Sequence, residues 1–150
     1  MELDLAGAGR PELRWVPGHV ADVIPLVQAH PRTTFVLMHA AWPQQEQLLS
    51  VAKHLPNVAV DLCWAWSLAP RSTTDFVQRF LTTVPAGKLL CFGGDSMVVE
   101  TVVGHAVLAR RGLASALDGL VRDGWLSMDG AIELVPRLMR GNAVRARLAE

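Results

Sequence analysis

At 150 residues the chain has room for one domain and no more. Apolar residues make up 51% and charged residues 19%, which describes a chain that buries a core and excludes a disordered segment. Fourteen basic residues balance fourteen acidic ones, so there is no basic excess of the kind a general nucleic-acid or anionic-membrane surface requires.

The first residues are acidic and lack the basic-then-apolar order of a signal peptide, and no apolar run approaches the roughly 20 residues that span a bilayer. Together these predict a cytoplasmic protein. Residues 1–18 carry Gly7, Gly9, Pro11, Pro17 and Gly18 without a clear period and read as loop. Gly7-Ala8-Gly9 resembles half of a dinucleotide fingerprint, but no strand precedes it and the third glycine is missing. From His19 to Ala29, Val20, Val23, Ile24 and Val27 recur at helical spacing, and His30-Pro31 ends the segment.

Thr33 to Met38 is a continuous β-favouring apolar run, the pattern of a strand covered on both faces in a parallel sheet. His39 follows it directly. Gln44 to His54 reads as a helix and Pro56-Asn57 as a turn. Val58 to Cys63 is a second strand, with Asp61 inside it and Trp64-Ala65-Trp66 at its end. Thr73 to Thr83 is helical, with Phe76, Val77, Phe80 and Leu81 on one face. Lys88 to Phe92 is a third strand running into Gly93-Gly94-Asp95. Beyond it two helices are predicted, about Val98 to Arg111 and Leu113 to Asp123. A third follows Ser127 as N-cap and runs through Leu138, and a last short one covers Asn142 to Leu148. The division is then a loop over 1–18, βα units over 19–97 and a helical end over 98–150, all in one α/β domain.

Each strand ends in chemistry. In parallel α/β folds the strand-to-helix loops converge at the C-terminal ends of the strands, so His39 and Asp95 on different strands can reach one point. A neutral imidazole and a carboxylate suit zinc or a similar divalent ion, or general acid/base work beside one. Gly93 and Gly94 allow the backbone to come close just before Asp95. Asp61, mid-strand among apolar neighbours, reads as a structural hydrogen-bonding residue. His105 reads as a packing residue near the pocket, His30 and His54 as helix-end residues, and Cys63 and Cys91 as buried reduced thiols.

The segments HPRTTFVLMHAAWP, LPNVAVDLCWAWSLAP, VPAGKLLCFGGDS, VVGHAVLARR and RLMRGNAVRARL, taken in order, resemble the C-terminal portion of the amidohydrolase-related family of metal-dependent hydrolases. The resemblance implies a partial (β/α)8 TIM-type barrel and a divalent metal, zinc by the character of its ligands. His39 would stand at the end of the sixth strand and Asp95 at the end of the eighth. Both would be metal ligands and catalytic residues: Asp95 the base, His39 polarising the substrate, with hydrolysis by a metal-activated water. Trp42, Trp64 and Trp66 would line the substrate pocket. The family's His-x-His pair occurs nowhere in the chain, and its fifth-strand histidine has no counterpart. The expectation is therefore the C-terminal part of an enzyme, inactive alone and binding zinc weakly or not at all through His39 and Asp95. Its partner is a small-molecule substrate, with no nucleic acid, no membrane, and an exposed sheet edge open to a homo-oligomer. Three alternatives remain. One is a non-catalytic remnant acting as a structural or partner-binding module. Another is a decarboxylase- or uronate-isomerase-type member of the same superfamily. The third, an unrelated nucleotide-binding domain, lacks a convincing glycine-rich loop.

Overall fold

The computed structural model describes residues 19–146. The glycine- and proline-rich start, and Leu148 of the last predicted helix, lie outside the described residues. Three strands, β1 (Phe35–Leu37), β2 (Val58–Asp61) and β3 (Leu89–Leu90), form one parallel sheet in the order β1-β2-β3. Val36 sits opposite Ala59, and Val60 opposite Leu89. This is the α/β architecture expected from the alternating pattern, and it is compatible with part of a TIM-type barrel.

The strands are shorter than their apolar runs. β2 stops at Asp61, although Leu62 still donates its N–H to the Leu90 carbonyl at 2.9 Å. β3 loses Lys88 to a tight 3-10 turn over Ala86–Lys88. The Lys88 ammonium instead donates to the Ala52 and Leu55 carbonyls, 2.7 Å from each, at the end of the neighbouring helix α2 (Gln45–His54). Asn57 works in the same way before β2. Its amide donates to the Val27, His30 and Thr33 carbonyls at 3.1, 3.2 and 3.1 Å, tying the end of α1 (Ile24–Ala29) to the sheet.

The helical layer packs on β2 and β3. A short helix α3 (Ala65–Leu68), absent from the sequence reading, precedes α4 (Pro70–Thr83). Phe76, Val77 and Phe80 of α4 are fully buried, with Phe76 and Phe80 ring centroids 5.7 Å apart. Burial stabilises each such side chain by about 1.5–3 kcal/mol. The two helices predicted around Gly112 are one, α5 (Val99–Arg122), 24 residues long. A Cβ on Gly112 would lie 2.2 Å from the Trp66 ring. This glycine therefore makes room for an indole and does not end a helix.

Ser127 caps α6 (Met128–Pro136), its hydroxyl accepting from the Gly130 N–H at 3.1 Å. A π-helical turn over Arg137–Gly141 and α7 (Asn142–Arg145) complete the described chain. The turn supplies the Leu138 carbonyl to the Cys91 N–H at 2.9 Å, beyond the end of β3. Asn142, 2% exposed, donates to the Ala86 and Leu89 carbonyls at 2.8 Å each, so the C-terminal helices are stitched to the sheet by polar as well as apolar contacts. No helix among the described residues is long and apolar enough to cross a membrane.

Candidate active site at the strand ends

Because the three strands are parallel, the residues just past each of them share one rim of the sheet. His39 follows β1, Cys63 follows β2, and Asp95 lies on the loop after β3. The His39 Nε2 and an Asp95 carboxylate oxygen are 3.1 Å apart, so the two residues singled out from the sequence meet. The Cys63 thiol donates to the same oxygen of Asp95 at 4.0 Å. The His39 nitrogen, the Asp95 oxygen and the Cys63 sulfur, atoms that could ligate a cation, all lie within 4.8 Å of one another.

Unusual backbone holds this group. His39, Ala40 and Ala41 have φ of 59°, 50° and 46°, one left-handed turn built without glycine. Asp95 has φ of 34°. Non-glycine residues in this region cost about 1–3 kcal/mol each. Fully buried Ala40 anchors the turn, while the His39 ring comes out onto the rim beside it.

The loop after β3 lies tight against the end of β2. A Cβ on Gly93 would meet the Cys63 Cβ at 2.9 Å and an Asp61 carboxylate oxygen at 3.1 Å, so glycine is needed there. Gly94 is different, since its Cβ would sit 3.6 Å from Val102, an ordinary contact. Of the two glycines expected to permit close approach, only Gly93 does so. Asp61 accepts the Cys63 N–H at 2.5 Å, fixing the cysteine from below. This matches the structural role read for Asp61, and it also sets the carboxylate directly behind the site. Burial raises the Asp61 pKa above the usual carboxylate range, outweighing the hydrogen bond from the Cys63 N–H. Burial, and then the charge of Asp61, push the Cys63 thiol up to about 12, and burial raises Cys91 as well. Both cysteines are free.

The tryptophans separate. Trp64 is 37% exposed, stacks on His39 with ring centroids 6.1 Å apart, and donates its indole N–H to the Asp95 carbonyl. His105 meets the edge of the same indole at 6.3 Å and lies 3.2 Å through Nδ1 from the Gly94 carbonyl. His105, expected to pack near the pocket, braces the Asp95 loop. Trp42 is exposed beyond the left-handed turn. Trp66, expected on the pocket wall with the other two, is 2% exposed and lies in the core, its indole N–H donating to the Cys91 carbonyl at 2.8 Å.

Cys63 is the member of the site that sequence reading missed. Within an apolar run from Val58 to Cys63 a cysteine reads as a buried thiol. The available signal was position: Cys63 follows Asp61 at the end of β2 as His39 follows Leu37 at the end of β1.

His39, Asp95 and Cys63 offer nitrogen, oxygen and sulfur, a donor set suited to a divalent cation of zinc character. No curated protein matches the sequence. The amidohydrolase family model matches residues 4–146, a span that takes in all three strands and every residue of the rim. The chain belongs to the amidohydrolase family and is a member of the hydrolase superfamily.

Proposed function

We propose that this chain carries the last three βα units of a metal-dependent hydrolase barrel, with His39 and Asp95 as its catalytic and metal-ligating pair. The observation that carries the reading is the 3.1 Å approach of the His39 imidazole to the Asp95 carboxylate at the C-terminal rim of a parallel sheet. Family membership supports it, since amidohydrolases commonly use divalent metals.

His39 and Asp95 would hold the cation, which would supply Lewis acidity at the scissile bond of a small-molecule substrate. The Asp95 carboxylate takes a proton from the attacking water as general base and later delivers it to the leaving group. His39 polarises the substrate by holding that Lewis acid against the substrate oxygen through Nε2, which as a ligand atom carries no proton to donate. Trp64 orients both residues, stacking on His39 and holding the Asp95 carbonyl, while the exposed Trp42 extends the wall of the substrate pocket. His105 holds the loop from the other side. The described residues contribute three strands and part of a ligand set. We therefore assign the 150 residues alone no turnover and place catalysis in a complete eight-stranded enzyme.

The test is Asp95→Asn in that complete enzyme. Loss of a general base lowers turnover by about 10²- to 10⁴-fold. The circular dichroism spectrum and melting temperature should not move, because Asp95 is exposed. An Asp95→Asn enzyme that turns over like wild type overturns the assignment of the base.

A further inference from the structure

Cys63 has no part in the reaction just described, yet it stands inside the site. Its thiol points at the carboxylate oxygen that His39 also contacts. It is fixed from two sides, by the Asp61 carboxylate on its N–H and by the backbone of Gly93 against its Cβ. Ligand bonds of about 2.0 Å to nitrogen and oxygen and 2.3 Å to sulfur, at tetrahedral angles, place nitrogen and oxygen about 3.3 Å apart and sulfur about 3.5 Å from either. Here nitrogen and oxygen stand 3.1 Å apart, already at ligand spacing, while the sulfur lies 4.0 Å from that oxygen and all three donor atoms fall within 4.8 Å, so the thiol has to close by about 0.5–1 Å to complete the arrangement.

We infer that Cys63 is a third ligand, its thiol proton released to solvent as the cation takes the sulfur, so that the chain's own site is a mixed imidazole, carboxylate and thiolate set that takes zinc or cobalt(II) and rejects magnesium. This rests on the reading of the rim as a cation site and goes beyond it by naming a sulfur ligand and a class of metal. Sulfur is a soft donor and magnesium a hard cation that keeps oxygen ligands, which is the basis of the selectivity. Three donors leave a fourth position open, as hydrolytic zinc sites do. The inference also replaces the expectation of weak or absent zinc binding, which counted two donors.

The experiment is a titration of the purified protein with cobalt(II), followed by absorption. Two bands are read: the visible d–d bands of a tetrahedral ion, and the near-ultraviolet charge-transfer band that appears only when a thiolate is bound. Wild-type protein should show both at one cobalt per chain, and a large excess of magnesium should not diminish them. Cys63→Ser should keep the d–d bands and lose the charge-transfer band. Cys91→Ser should keep both, and because the chain holds two cysteines it assigns the band to Cys63 even if Cys63→Ser fails to fold. Tetrahedral d–d bands without charge transfer in wild type overturn the sulfur ligand while leaving His39 and Asp95 standing. No bands at all overturn both readings.

Discussion

Around Trp66 the protein is packed and dry; around Trp64, two residues earlier, it is open and polar. Trp66 fills a slot against Gly112 of α5 and gives its one N–H to the Cys91 carbonyl, so its position is settled by volume and one hydrogen bond. Trp64 touches two imidazoles and a loop carbonyl, and the backbone near it runs through four left-handed non-glycine residues. One region spends its contacts on stability. The other holds strained backbone and a hydrogen-bonded cluster of imidazole, carboxylate and thiol at an open rim, which is the pattern of a functional site supported by a rigid layer behind it.

The largest expected difference comes from cutting the two indoles back to alanine. Trp66→Ala should cost about 3–5 kcal/mol, from the cavity it leaves and the stranded Cys91 carbonyl. Trp64→Ala should cost about 1 kcal/mol, since one face already sees solvent. Urea denaturation of both variants measures this, and equal losses would erase the distinction between the two regions.

Glycines sharpen the same contrast on a smaller scale. Gly112→Ala should destabilise by about 1–3 kcal/mol through overpacking against Trp66. Gly104→Ala, on the same helix with nothing within 4 Å of its Cβ, should stabilise by about 1 kcal/mol through helix propensity. Thermal melts decide it, and the same sign at both positions would mean that the Trp66 contact is not tight.

The smallest effect concerns Asp61. Its pKa is raised by burial, so the folded state holds this proton more firmly than the unfolded chain does. That contribution to stability is complete below the ordinary carboxylate pKa and is lost as pH rises through the folded value. Asp61→Asn keeps an acceptor for the Cys63 N–H and removes the titration. Its melting temperature should fall less than that of wild type as pH rises from the acid range to neutrality. A steeper fall in the variant would mean that the carboxylate is better satisfied than its burial implies.

Much of this architecture is legible in the residues. The runs around Phe35, Val58 and Leu89 are apolar throughout, the pattern of parallel strands, so the three strands follow; Val58–Val60 and Leu89–Leu90 are buried as that pattern expects, whereas β1, at the edge of the described sheet, is only half-buried. His39 and Asp95 were legible as a pair because each follows such a run. The left-handed turn was not, because His-Ala-Ala contains no residue that signals positive φ and tertiary packing of Ala40 imposes it. The continuity of α5 was hidden by Gly112, whose reason for being glycine lies on another helix, in Trp66. The burial of Trp66 beside the partial exposure of Trp64 was hidden for a related reason: a W-A-W sequence does not show that a helix begins between the two.

The central claim is that the imidazole of residue 39 and the carboxylate of residue 95 serve a single cation. A double-mutant cycle on zinc affinity, measured calorimetrically with His39→Ala, Asp95→Asn and the double variant, addresses it directly. Either single change should remove most of the binding, and the double variant should lose little more than the worse single one. Losses that simply add, or a single variant that binds zinc like wild type, would contradict the shared site.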